Sequence, residues 1–332
     1  MDNTPKKIIK KTRDRFFIGV TEKIKQLDAK LELIKQEQAT SSENQKWYFD
    51  KLYERAKGSG IIQLSDKEIV TKMFSGAKIC LDPKDVSVTP HLALDGIWEE
   101  PITLAWLKVL QPKYVVFDIG ANFGYYGLLA AQQIDRKNSR VVFFEANPKL
   151  IPYINKTLSI NWYHEQSSVE NFAVADKEGS LDLHILKDFI GSSSIHSAEE
   201  LNSYMAKRVN FETQEIIKVS ATTIDIYCSK NKIKEINLIK MDIEGYEDKA
   251  YEGMRQIVKA SPNLTLFIEF TKLSYKTPKI FYDLLLSDFG YLYLIDERGN
   301  LIEPIKTDYN SVLGGLDDWV MMVFSKNKNL SS

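Results

Sequence analysis

Between residues 114 and 127 an apolar run, Tyr114-Val115-Val116-Phe117-Asp118-Ile119, stops at a small-residue turn, Gly120-Ala121-Asn122-Phe123-Gly124, and leads into Tyr125-Tyr126-Gly127. Val115, Val116, Phe117 and Ile119 predict a strand covered on both faces, and Gly120 and Gly124 a turn where backbone comes close to a ligand. Residues 124–133 read as a helix. The same change of period then recurs: strand 140–145, helix 148–161, strand 168–174, hairpin strand 180–186, strand 216–220, helix 222–230, strand 236–242, helix 247–260 and strand 263–270. Such alternation predicts an α/β fold with right-handed crossovers. Helix 278–288 is followed by two strands, 291–295 and 319–324, with no helix expected between them. They imply a hairpin whose last strand runs antiparallel, which distinguishes a Rossmann-like class I methyltransferase sheet from an all-parallel dinucleotide-binding one. Residues 187–215 are polar and are expected to be irregular.

Upstream the pattern is helical. Phe17, Val20, Ile24, Leu27, Leu31 and Ile34 repeat at spacings of 3 and 4, a heptad seam that suits either self-association as a coiled coil or packing on the chain's own body. A second amphipathic helix is expected over 44–57, ended by Gly58-Ser59-Gly60. Residues 1–60 therefore read as an α-helical extension. Residues 61–112 read as a lead-in with a short helix near 66–74, a strand at 78–81 and a roof loop from Pro90 to Pro101, and residues 113–328 form the catalytic domain.

Composition narrows the function classes. The 332 residues carry a formal net charge of −1, which gives no global attraction to nucleic acid, and no apolar run approaches a membrane span. Cys80 and Cys228 form no Cys-x-x-Cys pair and no secretory leader is evident, so a cytoplasmic setting is expected. The basic segment with Lys6, Lys7, Lys10, Lys11, Arg13 and Arg15 suits either peripheral attraction to an anionic membrane or a solvated terminus.

The candidate chemistry gathers at strand ends. Glu145 closes the second strand twenty-one residues beyond Gly124, where a carboxylate accepts hydrogen bonds from ribose hydroxyls. The turn is Asp-x-Gly-x-Asn-x-Gly (Asp118, Gly120, Asn122, Gly124), and its leading acid would repel a pyrophosphate but attract the α-amino group of S-adenosylmethionine. Asp242 ends the fourth strand on the cofactor and acceptor side and is the first candidate base. Glu244 and Glu269 are near strand ends, and His196 lies in the polar 187–215 segment. Ser192, Ser193 and Ser194 of that segment are candidate acceptor contacts. Carboxylates converging here could also hold Mg²⁺, although no metal ligand is singled out.

These residues resemble the FkbM-type S-adenosylmethionine-dependent methyltransferases. The resemblance rests on Asp118 to Tyr126, Phe144-Glu145-Ala146-Asn147-Pro148, Asn171-Phe172-Ala173-Val174, Thr222-Thr223-Ile224-Asp225 and Leu238 to Glu247, in family order over about residues 70–270. Ala146 departs from the proline usual after the ribose acid. The resemblance implies that Asn171 contacts adenine and that Gly96-Ile97-Trp98-Glu99 helps position cofactor or acceptor through Trp98 and Glu99. It implies O-methyl transfer to a hydroxyl of a sugar, glycan or glycosylated natural-product intermediate. Two alternatives stay open: an NAD-dependent sugar-modifying enzyme, and an inactive fold acting as an assembly module through its N-terminal helices.

Overall fold

The structure, a computed structural model, describes residues 60–186, 189–197, 199–200, 212–314 and 319–330. The basic segment, the seam from Phe17 to Ile34 and the helix expected over 44–57 lie outside the described residues. The described chain opens with β1 (Ile62–Ser65), β2 (Glu68–Lys72) and β3 (Lys78–Leu81), an antiparallel sheet in that order. The short helix expected near 66–74 is therefore a turn and a strand. Ile69, Val70 and Thr71 are β-branched, and burial of Ile69 and Thr71 follows the period of two that a pleated strand imposes. The expected roof loop is largely replaced by two helices, α1 (Thr89–Leu94) and α2 (Glu100–Val109), each with a proline in its first turn.

The α/β alternation follows as β4 (Val115–Ile119), α3 (Tyr125–Gln133), β5 (Arg140–Phe144), α4 (Ile151–Asn161) and β6 (Ser167–Glu170). The strand expected over 168–174 splits after β6, and Ala173–Val174 joins a second sheet as β7. That sheet is completed by β8 (Gly179–Leu186), β9 (Phe189–Ser194) and β10 (Thr213–Thr222), in the order β7-β10-β8-β9. The segment expected to be irregular thus contributes a strand, because β9 pairs antiparallel with β8 through His184 and Ser194. Pairing supplies what its Gly191-Ser192-Ser193-Ser194 composition does not advertise.

The chain then returns to the main sheet through α5 (Ile224–Lys230), β11 (Leu238–Met241), α6 (Glu247–Glu252), α7 (Arg255–Ala260), β12 (Thr265–Phe270), α8 (Pro278–Phe289), β13 (Tyr291–Ile295), β14 (Leu301–Ile302), α9 (Tyr309–Leu313) and β15 (Val320–Ser325). A single helix was expected over 247–260. It breaks at Gly253, where a Cβ would stand 2.0 Å from the Ala175 carbonyl oxygen, so backbone passes backbone there.

The main sheet runs β14-β13-β15-β12-β11-β4-β5-β6. β6, β5, β4, β11 and β12 are parallel, while β15 is inserted antiparallel between β12 and β13. This is the expected Rossmann-like sheet with its antiparallel C-terminal strand. One face buries Phe117, Ile239, Met241 and Ile268 in a core shared with α5 to α8. On the other face Trp106 of α2 meets Phe267 edge-on at 5.3 Å, and its Nε1 donates to the Tyr126 carbonyl at 3.2 Å. Both helix layers are thereby pinned, and the loops at the strands' carboxyl ends are held on a rigid base.

Candidate active site

Four parallel strands end in line. Extending by one residue the registers Ile119↔Phe144, Met241↔Ile119 and Met241↔Ile268 sets Glu145, Gly120, Asp242 and Glu269 side by side across the sheet's carboxyl edge. All four line a cavity of about 270 Å³. Its position is where open α/β sheets bind ligands. The β8–β9 hairpin reaches over it with Leu186, Phe189 and Ser193, and the segment before α2 closes it with Trp98 and Glu99.

At the β5 end, Glu145 is buried, and its Oε2 and Oε1 accept from the backbone N–H groups of Asn122 (2.7 Å) and Asn147 (2.8 Å). Burial pushes its carboxyl up to about 7, against the pull of those two donors. Asn147 Nδ2 in turn donates to the Ile190 carbonyl at 3.0 Å and to Ser193 Oγ at 3.1 Å, which ties the roof to the floor. Asn122 lines the cavity with a left-handed φ of 54°, and its Oδ1 is buried without a hydrogen-bond partner.

The middle of the site holds a cation that sequence reasoning did not single out. Lys240 and Asp118 face each other in the β11–β4 register, on strands that are otherwise apolar. Lys240 is buried, its Nζ lies 2.8 Å from Asp242 Oδ2, and the Tyr126 ring covers it at 4.5 Å from the centroid. Asp242, Glu99 and Asp118 hold that ammonium well above its ordinary range, against the effect of burial. Asp118 does not line the cavity. It lies beneath the turn, where its Oδ2 accepts from the Gly127 N–H at 2.7 Å, and burial pushes it up to about 6 despite Lys240. The visible signal for Lys240 was a lone charge in a buried strand.

Toward β12, Glu99 caps α2 from a left-handed φ of 44°, and its Oε2 accepts from Tyr126 Oη at 2.8 Å. Burial pushes its carboxyl up, and Lys240 opposes that shift. Glu269 is half-buried, and its carboxyl is pushed well up, by burial first and then by the charges of Asp242 and Glu244. Trp98 and Trp319 complete this end.

Other expected site residues sit outside the lining. Gly124 is the N-cap of α3. Asn171 is exposed, and its Nδ2 donates to the carbonyls of Glu145 (2.8 Å) and Ala146 (3.1 Å); the neighbouring Phe172 lines the cavity instead. Ser194 donates to the Glu244 carbonyl at 3.1 Å, and His196 Nε2 lies 3.1 Å from the Gly245 carbonyl, so both brace the loop after β11 from behind. Ser192 lies on β9. That loop is also held by buried Glu247, whose Oε1 accepts from Ile243 N–H at 2.9 Å and whose Oε2 accepts from Tyr275 Oη at 2.8 Å. Among the described residues no group of three or more His, Cys, Asp or Glu side chains is arranged to hold a metal ion, so the Mg²⁺ expectation finds no support.

An eight-stranded sheet with β15 inserted antiparallel, and a cavity floored by a glycine turn and strand-end carboxylates, define a Rossmann-like fold of the class I methyltransferase type. The family model described as the methyltransferase FkbM domain matches residues 118–293. The chain belongs to the FkbM methyltransferase family. It is 26% identical over 174 residues to the 31-O-demethyl-FK506 methyltransferase FkbM of Streptomyces tacrolimicus, a match covering 45% of this chain and 65% of that relative. The matched region is thus slightly under two thirds of the relative's length. A methyltransferase FkbM from Methylobacillus flagellatus KT is similar at 14% identity and a TM-score of 0.40, covering 66% of this chain and 47% of that one. P. horikoshii TYW2 in complex with MeSAdo is similar at 14% identity and a TM-score of 0.38, covering 79% and 73%. No described helix is long and apolar enough to cross a membrane.

Proposed function

We propose that the chain transfers a methyl group from S-adenosylmethionine to a hydroxyl of a sugar, glycan or glycosylated natural-product intermediate. The observation that carries this reading is the line of strand-end groups in one cavity, with Glu145 at one end and Asp242 and Glu269 at the other. The lining fits the donor. Glu145 has two carboxylate oxygens free to accept further bonds from ribose hydroxyls, and the unpartnered Asn122 Oδ1 seeks a donor group. Phe172, Val174 and Leu183 form an apolar wall suited to a purine.

The sulfonium of S-adenosylmethionine supplies an already activated methyl group. What remains for the protein is to align the acceptor oxygen and to take its proton. Carboxylates are present for that purpose, and Trp98 and Trp319 offer flat faces for a sugar ring beside them. The matched relative's printed name specifies an O-demethylated acceptor, which favours oxygen. Family membership speaks against the nicotinamide-dependent alternative, and the strand-end groups gathered in one cavity speak against an inactive module. The N-terminal seam as an oligomer contact and the basic segment as a membrane contact belong to the same proposal. Calorimetry with S-adenosylmethionine and NAD side by side tests the donor, and methyl-labelled donor incubated with glycan intermediates tests the acceptor. Binding of NAD in preference to S-adenosylmethionine would overturn the first half; label appearing only on nitrogen would overturn the second.

A further inference from the structure

The carboxylates around the cavity differ in what already holds them. Asp242 has Lys240 at 2.8 Å, Glu99 has the Tyr126 hydroxyl at 2.8 Å, and Glu145 has two backbone N–H groups. Glu269 has none of these. Its carboxyl opens to the cavity with neither an ion pair nor a hydrogen bond among the described residues; only its backbone carbonyl is engaged, by Tyr275 Oη at 3.2 Å. Lys240 is fixed from several sides, by Asp242, by the Tyr126 ring and by its register position opposite Asp118.

We infer that Glu269 is the group that takes the acceptor's proton, and that Lys240 is a positioning residue that locks Asp242 as a fixed, ionised hydrogen-bond acceptor orienting the same hydroxyl. This deepens the proposed function and rests on it. Protonating Asp242 would leave the Lys240 ammonium buried against a neutral partner, which is unfavourable. Protonating Glu269 removes a charge that faces Asp242, Glu244, Glu247 and Glu99, so the proton relieves repulsion there. In the transfer the acceptor oxygen forms a bond to the methyl carbon, the carbon–sulfur pair leaves with sulfur as a neutral thioether, and the hydroxyl proton passes to the Glu269 carboxylate. Asp242 and Glu269 stand on adjacent parallel strands one residue beyond the Met241↔Ile268 pair, so one hydroxyl can address both.

The test is a carboxyl-carbon NMR titration of the full chain, labelled at Asp and Glu, from pH 4 to 9, with calorimetry of S-adenosylmethionine binding run on every variant. The wild type should show a glutamate titrating above the ordinary carboxylate range, and that signal should vanish in Glu269→Gln. Lys240→Met should lower kcat and alter the pH profile of turnover, and Lys240→Arg should restore both. With methyl glucoside as hydroxyl probe, Glu269→Gln should lose about 10²- to 10⁴-fold in kcat, and Lys240→Arg should keep the wild-type pH profile. A raised glutamate signal that survives in Glu269→Gln, or a Glu269→Gln enzyme with wild-type kcat, overturns the assignment. If Lys240→Met does not fold, the Arg and Gln variants still decide it. Failure to bind S-adenosylmethionine sinks the functional reading instead, and the Glu269 titration is read independently of it.

Discussion

Gly120 and Asp242 leave adjacent strands so closely that a Cβ built on Gly120 would stand 1.8 Å from the Asp242 carbonyl oxygen. Gly120 also has a φ of 80°, where a side chain is strained regardless of space. The turn under the proposed donor and the strand end bearing Asp242 are therefore one rigid junction. Gly120→Ala should lower the thermal midpoint by several degrees, since the conformation alone costs about 1–2 kcal/mol. It should also abolish binding of S-adenosylmethionine in calorimetry. A variant with unchanged midpoint and affinity would show that the junction tolerates a shift.

Phe172 and Asn171 are neighbours with different surroundings, and their alanine variants should separate. Phe172 lines the cavity, whereas Asn171 ties the carbonyls of Glu145 and Ala146 from outside it. Phe172→Ala should weaken S-adenosylmethionine binding by about tenfold or more, the loss of one stacking surface being roughly 1–3 kcal/mol. Asn171→Ala should chiefly lower stability, by about 1 kcal/mol. Calorimetry and thermal melts on both variants check this, and equal affinity losses would place Asn171 in ligand contact after all.

Much of this architecture is legible in the sequence because hydrophobic period and glycine turns are local signals. The β4 run, the turn to Gly124, the strand ending at Glu145 and the terminal antiparallel strand all follow from them. What was not legible depends on partners distant in the chain. β9 exists through its pairing with β8, β2 through packing that buries alternate residues, and the break at Gly253 through the approach of Ala175. The same holds in the site. Asp118 reads as the turn's leading acid, placed to attract a ligand's α-amino group, but the register sets it opposite Lys240 and under Gly127, a relation no local window contains.

The helical extension carries its own prediction. Six apolar residues on one stripe, from Phe17 to Ile34, bury surface worth roughly 25 cal/mol per Å² only against a partner. If that partner is a second copy, deleting residues 1–58 should leave a folded enzyme with unchanged cofactor affinity and a smaller mass by light scattering. A full-length chain that is already monomeric at micromolar concentration, with a deletion that melts early, would show that the stripe packs on its own chain.

The buried acids set a pH dependence whose direction can be worked out. Asp118 is pushed up to about 6, and Glu145 and Glu247 to about 7, in each case mainly by burial. Between pH 4 and these values the folded chain holds protons that the unfolded chain has released. Stability follows the difference in bound protons, unfolded minus folded, and that difference is negative here. The apoprotein should therefore lose stability as pH rises from about 4 to about 7, with little further change from these groups above that. Glu145→Gln removes one such group, so its thermal midpoint should fall less steeply between pH 5 and 7 than that of the wild type. The same variant should bind S-adenosylmethionine more weakly by about tenfold or more, one charge-assisted hydrogen bond being worth roughly 1.5–3 kcal/mol. Melting curves across pH and calorimetry at pH 7.5 give both readings from one preparation. A midpoint that rises from pH 5 to 7 in the wild type would mean that Glu145 and its companions are ionised in the folded apoprotein and that burial does not hold their protons.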